Sequence, residues 1–507
     1  MFYTFFNTII KGYLKYRYLR IQKMYESPME VQDEVCRMLL SNLHLTKYGQ
    51  NLGVKKEISQ FTFRKEVPIT HYEDIFPYID KMMHLEENQL WPGKVQWFAK
   101  SSGTTNDKSK YIPISDHNLF ENHVTASWDA ISILYRNQPD SKIFDGKNLI
   151  MGGSLQNDPS TLINIGDVSA ILLSRMPSVG RPFYSPDFEV ALMNDWEQKI
   201  LKMAEICRDE DIVMFAGVPT WTIVLFNRIL EITGKSNMCE VWPNIKTYFH
   251  GGVGFEPYRH QFQTYFPNNC IDYYEVYNAS EGYFAVQDRI GESGMLLLLD
   301  NAIFYEFMPL SEIDSDYPKT LLLNEVELKE DYVIVITTSS GLWRYVPGDV
   351  IKFVSVKPYR IMVSGRTKHY INIFGEEVMV HNTDAAIKAT CFETNTSIKE
   401  YTAAPIFMDS THKGGHEWYI EFDRSPECLD RFSLILDDKL RQVNSDYDAK
   451  RTKDIALQNL KIKALPKGTF HDWLKSKGKM GGQSKIPRLS NTRKYLEVLD
   501  EFVKENY

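Results

Sequence analysis

One short segment of the chain places glycine and hydroxyl side chains after an apolar run, with lysines on either side. It follows the run 95–99 and consists of Ser101, Ser102, Gly103, Thr104 and Thr105. Glycine lets backbone amides approach a ligand closely, and successive N–H groups in such a turn form a concave site for anions. Hydroxyl and ammonium groups add donors, so the segment predicts a polyphosphate-binding loop. A polar hairpin loop is the simpler alternative, and the chain contains no Walker-type G-x-x-x-x-G-K-[ST] string.

A second candidate is the carboxylate of Glu281, in a turn of small residues that follows the aromatic segment 273–277. A carboxylate beside phosphates would repel them unless it held a Mg²⁺ ion that also bound the phosphates. We therefore expect Glu281 to bind Mg²⁺ if its turn lies next to the Ser101 segment. For this turn considered alone, an exposed acidic turn is the more ordinary interpretation.

Two further segments place polar or glycine residues at the end or start of an apolar run. Gly251 and Gly252 follow the run 245–250, and loops after strands are where open α/β sheets bind ligands. Asp349 follows Gly348 and precedes an apolar strand. A carboxylate there can accept hydrogen bonds from both hydroxyls of a ribose. A plain Gly-Asp turn is an equally good interpretation of Asp349 alone.

The spacing of apolar residues predicts the elements that would position these groups. One helix follows Pro68, with Thr70 as N-cap and Glu73 completing a capping box. Helical spacing recurs at 31–43, 117–136, 187–208 and 221–232. Buried strands are predicted at 148–151 and 212–216. This alternation of helices and strands is typical of an α/β fold.

Length, charge and cysteine usage narrow the class of protein. A chain of 507 residues exceeds what one hydrophobic core supports, so two or more domains are expected. The net charge is 58 − 66 = −8 and no long basic block occurs, which argues against a nucleic-acid partner. The 6 cysteines include no C-x-x-C pair, so we expect reduced thiols in a cytoplasmic protein, without a disulfide scaffold or zinc ribbon.

The remaining charged clusters do not indicate a second site. His412 and His416 have no cysteine or carboxylate at a recognised metal-ligand spacing, so we interpret them as solvated or core histidines. Glu376 and Glu377 are interpreted as a solvated helix start.

The N-terminal segment is apolar, aromatic and basic. Apolar residues recur at helical spacing at Phe5, Phe6, Ile9, Ile10 and Tyr13. The segment lacks the basic start and cleavage site of a secretory signal, and its apolar run is far short of the ~20 residues that span a bilayer. It therefore predicts an amphipathic helix packed on the core or docked at the surface, with loose membrane association as a minor alternative.

The order and spacing of these motifs resemble the acyl-adenylate-forming superfamily and, more closely, the auxin-responsive Gretchen Hagen family of acyl-acid amido synthetases. The family-like segments span residues 67–488, nearly the whole chain. They are Val67-Pro68-Ile69, Tyr72-Glu73-Asp74, the Ser101 segment with Lys110 and Ile112-Pro113, Trp242-Pro243-Asn244, Tyr305-Glu306-Phe307-Met308-Pro309, Arg344-Tyr345 with Gly348-Asp349, and Lys485-Ile486-Pro487-Arg488.

The resemblance implies a fold of two parts. Residues 1–364 would form a large N-terminal domain of mixed β-sheets with flanking helices and a barrel-like part. Residues 365–368 would be a hinge, and residues 369–507 a small mobile α/β domain. Lys368 aligns with the superfamily's hinge residue, which is often aspartate.

The resemblance also implies a reaction in two halves and a role for each motif. A carboxylic acid and ATP would give acyl-AMP and pyrophosphate, and an amine would then attack to form an amide. Lys485 matches the family's catalytic lysine, which bridges the acyl carboxylate and the α-phosphate. Glu281 would bind Mg²⁺, and Asp349 and Arg366 would bind the ribose or phosphate region. The remaining nucleotide-binding residues would be Ser101 to Thr105 for the phosphates, Tyr277 against adenine, and Gly251, Gly252, Asn278, Ala279 and Ser280 beside it.

Two alternatives to an amido synthetase stay open. A ligase that makes an acyl thioester with CoA or a carrier thiol shares the first half-reaction and its residues. A non-catalytic nucleotide-binding protein is disfavoured, because Glu281, Asp349 and Lys485 are all present. The expected partners are a small carboxylic acid and an amino acid or thiol, with no nucleic acid and no stable membrane insertion.

Overall fold

The computed structural model of the protein describes most of the chain. The described residues are 2–101, 110–157, 162–178, 180–253, 255, 258–313, 315–367, 370–408, 413–452, 457–476 and 487–507, without the side chains of 2–8, 220, 260, 381, 474 and 475. Several predicted site residues lie outside this set: Ser102, Gly103, Thr104, Thr105, Lys368 and Lys485.

The helices follow one another along the whole chain. They are α1 Phe2–Glu26, α2 Pro28–Leu43, α3 Lys47–Asn51, α4 Gln60–Glu66, α5 Tyr72–Met83, α6 Asp116–Asn118, α7 Thr125–Asn137, α8 Val168–Ser174, α9 Phe188–Ala191, α10 Trp196–Cys207, α11 Pro219–Thr233, α12 Met238–Val241, α13 Arg259–Tyr265, α14 Val380–Thr394, α15 Leu429–Val443, α16 Ser445–Arg451, α17 Thr469–Ser476 and α18 Lys494–Asn506. A π-helical turn, Leu119–Val124, joins α6 to α7. None of the described helices is both long enough and apolar enough to cross a membrane.

The strands alternate with these helices. They are β1 Trp97–Ser101, β2 Lys110–Ile114, β3 Lys147–Ile150, β4 Leu155–Asn157, β5 Asn164–Gly166, β6 Tyr184–Ser185, β7 Ile212–Gly217, β8 Thr247–His250, β9 Asp272–Ala279, β10 Gly282–Val286, β11 Met295–Leu297, β12 Ile303–Pro309, β13 Asp331–Thr338, β14 Asp349–Val356, β15 Tyr359–Arg366, β16 Tyr370–Ile371, β17 Val378–Met379, β18 Ser397–Ile406, β19 Gly415–Arg424 and β20 Lys461–Leu465.

The largest sheet changes from parallel to antiparallel along its width. Its 11 strands run in the order β12-β13-β14-β15-β11-β10-β9-β8-β7-β3-β6. Strands β6, β3, β7, β8 and β9 are parallel, and helical crossovers such as α11 and α13 join them, as parallel pairing requires. The strands from β9 to β12 are antiparallel. Among the parallel strands, β7 is a continuous apolar run, as expected for a strand with both faces covered.

Three smaller sheets complete the fold, of which the antiparallel pair β16–β17 is the smallest and the other two are larger. In the first, of order β2-β1-β5-β4, the antiparallel pair β1–β2 encloses residues 102–109. The second, β18-β19-β20, lies with α14 to α18 in the last third of the chain. This C-terminal sheet shares an apolar cluster with helices α10 to α13. The predicted α/β fold with a separate C-terminal α/β part is confirmed, while its boundary at 364 stays a prediction.

The predicted elements are found, with three corrections. The helix predicted at 187–208 is divided into α9 and α10 by a break at 192–195. The helix after Pro68 begins at Tyr72, so the predicted N-cap at Thr70 is wrong. Instead, the backbone N–H of His71 donates to Asp74 Oδ2 at 2.8 Å. The third concerns the cysteines, because the fold brings the side chains of Cys239 and Cys270 together, with 7.4 Å between their Cα atoms.

A buried ion pair connects the N-terminal helices to the large sheet. Arg344 is 5% exposed and donates to both carboxylate oxygens of Glu306, at 2.9 and 2.8 Å. Its Nη1 also donates to the carbonyls of Arg64 and Val67, at 2.6 and 2.8 Å. A buried charge is tolerated only when it is paired and hydrogen-bonded, so these bonds fix the segment that leads to Asp349.

We expect Glu306→Gln to destabilise the fold by about 3–5 kcal/mol, because it leaves the Arg344 guanidinium buried without a counter-charge. Chemical denaturation of the purified variant measures this free energy of unfolding. Glu330→Gln removes an exposed carboxylate and should change it by less than about 0.5 kcal/mol. Equal effects of the two substitutions would contradict the role of the pair.

The burial of His250, the last residue of β8, should make the stability of the fold sensitive to acid. Its ring stacks on Phe255 at 4.2 Å, and burial, reinforced by the charge of Arg259, lowers its pKa to about 3. The unfolded chain therefore takes up this proton near pH 6.5, whereas the folded protein does not. The resulting contribution is fully present above pH 6.5 and is lost as the pH falls towards 3.

We expect His250→Phe to reduce the slope of unfolding free energy against pH between 6 and 4 by about 1.4 kcal/mol per pH unit, which is one proton. Denaturant titrations at several pH values measure this slope. His84→Phe is the matched control, since the His84 side chain is 73% exposed. A slope unchanged by His250→Phe would show that His250 is protonated normally in the folded protein.

Candidate active site

A single cleft brings together the predicted site residues that the structure describes. It has a volume of about 1280 Å³ and lies between the large sheet and the C-terminal segment. Ten predicted residues line it: Ser101, Gly251, Gly252, Tyr277, Asn278, Ala279, Ser280, Glu281, Asp349 and Arg366. These residues come from widely separated segments of the sequence, so their convergence is a property of the fold.

Asp349 is the most strongly held of these side chains. It is 5% exposed and begins β14, where it pairs in register with Arg366 at the end of β15. Its Oδ1 accepts from Arg366 Nε at 2.7 Å, and its Oδ2 accepts from the Tyr277 hydroxyl at 2.5 Å. Both carboxylate oxygens thus have donors, one of them charged.

This arrangement raises the pKa of both Arg366 and Tyr277, which keeps Arg366 charged and Tyr277 neutral. Burial disfavours the Arg366 charge, yet the carboxylates of Asp349 and Glu377 outweigh it and raise the pKa of Arg366 well above its usual value. Burial and the charge of Asp349 raise the pKa of Tyr277, which remains a neutral donor. The Tyr277 ring lies against Phe284 at 4.7 Å between centroids. A stacking contact with adenine stays a prediction for Tyr277.

Glu281 lies in the turn between β9 and β10 and is 8% exposed, so an exposed acidic turn is excluded. Burial raises its pKa, and the charge of Lys110 on β2 opposes this rise. Oxygen ligands of this type suit Mg²⁺, which usually takes one or two carboxylates and the substrate's phosphates. The buried carboxylate beside the hairpin that encloses 102–109 therefore fits the predicted metal.

The turn that carries Glu281 is held by Asn122, which the sequence did not reveal. The Asn122 amide donates to the carbonyls of Tyr283 and Asn301, at 3.3 and 2.8 Å. Its oxygen accepts from the backbone N–H of Tyr283 at 2.8 Å. Asn122 lies in the π-helical turn, a feature often found at functional sites. Only the fold brings it to Tyr283, which is 161 residues away, so no local signal marks it.

The two glycines after β8 meet a structural requirement of the sheet. A Cβ at Gly251 would lie 2.3 Å from the carbonyl oxygen of Val276 on β9, which is too close for any side chain. Gly252 has φ +80°, a left-handed conformation that favours glycine. Both residues line the cleft. A side chain at Gly251 is excluded by the neighbouring strand β9, which passes close to its Cα atom.

Ser101 and Lys110 face each other at the ends of β1 and β2. The backbone N–H of Tyr111 donates to the Tyr72 hydroxyl at 2.9 Å, and the Lys110 ammonium lies 5.6 Å from the centre of the Tyr72 ring. The predicted phosphate loop is therefore the connection of an antiparallel hairpin whose base opens into the cleft. Ser102 to Thr105 lie outside the described residues.

The C-terminal segment forms the opposite wall of the cleft. Lys450 on α16 lies 5.0 Å from the Trp221 ring centre, and Trp221 stacks on Trp196 at 4.3 Å. Glu377 Oε1 lies 3.4 Å from Arg366 Nη1. These contacts link the C-terminal segment to both ends of the cleft.

The interpretation of Glu376 as solvated is wrong. Glu376 is 0% exposed, and its carboxylate accepts from the backbone N–H groups of Ile373 and Phe374. It also lies 3.0 Å from Nε2 of His416, which is a core histidine as expected. A buried carboxylate thus fixes the loop that presents Glu377 to Arg366.

Sequence comparisons identify the family across most of the chain. Residues 17–271 match the GH3 family N-terminal domain, residues 296–366 the central domain and residues 381–494 the C-terminal domain. A jasmonoyl--L-amino acid synthetase of Nicotiana attenuata is 25% identical over 94% of this chain and 94% of its own. An indole-3-acetic acid-amido synthetase of Arabidopsis thaliana is 22% identical over 95% of this chain and 93% of its own.

Solved structures show the same fold at lower identity. The AtGH3.15 acyl acid amido synthetase in complex with 2,4-DB superposes with a TM-score of 0.62 at 18% identity, covering 97% of this chain and 96% of that one. A 2-hydroxyisobutyryl-CoA ligase in complex with 2-HIB-AMP and CoA gives a TM-score of 0.56 at 12% identity, covering 95% and 94%. The chain therefore shares the fold of these two enzymes, and its matches to the three domain models show that it belongs to the GH3 family.

Proposed function

We propose that the protein is an ATP-dependent acyl-acid amido synthetase. The oxygen of a carboxylic acid attacks the α-phosphorus of ATP and pyrophosphate leaves. An amino-acid amine then attacks the acyl carbon, AMP leaves and the amine loses a proton as the amide forms. The observation that carries this proposal is the convergence of the ten predicted nucleotide and metal residues on one cleft, in a chain whose relatives are named as ligases of this kind.

The Asp349 cluster is suited to bind a ribose and a phosphate together. A ribose hydroxyl can replace the Tyr277 hydroxyl as donor to Asp349 Oδ2, so that this oxygen keeps a hydrogen bond. Arg366 Nη1, which lies 3.4 Å from Glu377, would become available to phosphate oxygens when Glu377 moves away, and guanidinium groups form strong, directional bonds to such oxygens. The donors that satisfy Asp349 in the free protein thus become part of the nucleotide site.

The charges around the phosphates follow from the same geometry. Mg²⁺ would be held by Glu281, and it would neutralise charge on the phosphates as pyrophosphate departs. Lys110 adds a cation on the hairpin side of the cleft. Carboxylate attack on the α-phosphate brings two anions together, so these cations and Lys485 would stabilise the transition state by offsetting their repulsion.

The proposal extends to the movement and location of the protein. A hinge at 365–368, containing Lys368, would let residues 369–507 turn against residues 1–364. The Arg366–Glu377 ion pair spans this hinge and would separate when the C-terminal part turns. We place the protein in the cytoplasm, with small-molecule substrates.

Incubation with ATP, Mg²⁺, a set of carboxylic acids and either amino acids or CoA tests the function, with products identified by mass spectrometry. We expect an acyl–amino acid amide, together with AMP and pyrophosphate. A thioester formed only with CoA would instead establish the thioester ligase. Absence of pyrophosphate release with every acid would indicate a nucleotide-binding protein without ligase activity.

We expect Lys485→Ala to lower acid-dependent ATP–pyrophosphate exchange by about 100-fold or more, since it removes a cation from the transition state. ATP binding, measured by calorimetry, should be largely retained. Lys504→Ala replaces an exposed lysine of α18 and should leave the exchange rate unchanged. Unchanged exchange in Lys485→Ala would remove this residue from the reaction.

A further inference from the structure

The N-terminal helix has one face that the fold covers only at Tyr13, whose ring meets Trp128 edge to face at 5.5 Å between centroids. Ile10, Leu14, Ile21 and Met24 on α1 are buried in the core. The opposite side, which we call the α1 outer face, consists of Ile9, Tyr13, Tyr16 and Leu19, whose exposed fractions are 55%, 41%, 55% and 58%. These residues recur at helical spacing, so they form one continuous stripe.

The orientation of α1 is fixed, so this face cannot turn inwards. Arg17 donates to both oxygens of the buried Asp129 at 2.9 and 3.0 Å. Arg20 forms a second bidentate pair with Asp300 at 2.9 and 2.8 Å. Two such planar pairs on one helix hold its rotation against the body of the protein.

The charge of the helix is opposite to that of the whole protein. Helix α1, residues 2–26, contains five basic residues and one acidic residue, Glu26 at its C-terminal end, whereas the net charge of the chain is −8. The basic residues are Lys11, Lys15, Arg17, Arg20 and Lys23. Arg17, Arg20 and Lys23 have carboxylate partners. Lys11 and Lys15 are exposed and form no salt bridge with any carboxylate among the described residues. The Lys11 ammonium lies 5.7 Å from the centre of the Tyr135 ring, a contact that does not neutralise its charge, so both lysines can meet an anionic partner.

We propose that the α1 outer face docks the protein onto an anionic membrane surface. Ile9, Tyr13, Tyr16 and Leu19 enter the boundary between head groups and acyl chains, and Lys11 and Lys15 contact anionic head groups. Helices with an aromatic and aliphatic face flanked by lysines lie in the plane of such interfaces. The helix lies on the membrane and does not cross it.

The positive charge beside the α1 outer face favours an anionic membrane over a second copy of the chain as its partner. A two-fold interface would place the same face, and hence the same lysines, against each other. Such an arrangement would gain apolar contact but would bring like charges together. Anionic lipid gains from both the apolar stripe and the lysines.

Vesicle flotation of the full chain tests the proposal. We expect binding to vesicles of phosphatidylcholine with phosphatidylserine, weaker binding at high salt, and little binding to phosphatidylcholine alone. Tyr16→Ser combined with Leu19→Ser should weaken the binding at least about tenfold, because two inserted side chains lose their apolar burial. Both residues are exposed, and an unchanged thermal midpoint would verify that the variant folds.

Phe392→Ser combined with Leu434→Ser is the matched control. These residues of the C-terminal part are 91% and 61% exposed, so the pair removes exposed apolar surface elsewhere and should leave vesicle binding unchanged. Equal binding of the α1 variant and the unaltered protein would overturn the proposal. A dimer that the α1 variant converts to a monomer, without vesicle binding, would assign the face to a second copy and would also overturn it. Since the readout is binding, it is independent of the ligase reaction.

Discussion

The buried carboxylate of Asp349 is the constraint around which the cleft is built. A charge that is almost completely removed from water must have donors on both oxygens, and in this protein they come from β9 and β15. Satisfying Asp349 therefore fixes how the antiparallel strands β14 and β15 lie relative to β9. Because Arg366 also meets Glu377, the same requirement extends to the C-terminal segment.

Several contacts away from Asp349 maintain this geometry. Asn122 holds the turn that carries Glu281, and the Arg344–Glu306 pair holds the segment that leads into β14. Gly251 allows β8 and β9 to approach so closely that their ends share one site. Each of these is a hydrogen bond or a close approach between segments far apart in the chain, and each is buried. The segments that resemble the family's motifs thus include supporting residues as well as residues that line the cleft.

The cleft and the N-terminal helix represent two different uses of charge. In the cleft, carboxylates and cations are paired at short distance, so their charges are available to a substrate only by exchange of partners. On α1, the paired arginines orient the helix, whereas the outer lysines have no such partners among the described residues. The protein thus combines a cleft whose charges are paired with a helix surface whose lysines have no carboxylate partners among the described residues.

The sequence by itself determined the fold class, the family and ten of the residues that line the cleft. This was possible because glycine, hydroxyl and carboxylate residues at strand ends carry local signatures, and because their order along the chain is informative. It did not determine Asn122 as a support or Glu376 as a buried anchor, and it misplaced the cap of α5. A helix starts where a side chain accepts a hydrogen bond from a free backbone N–H group at its first turn. Whether a side chain is buried depends on segments that are distant in sequence. Only the tertiary structure decided that Asp349 has two donors, that Gly251 faces a neighbouring strand, and which face of α1 stays exposed. Each of these depends on contacts between segments that are far apart in the chain or on separate strands.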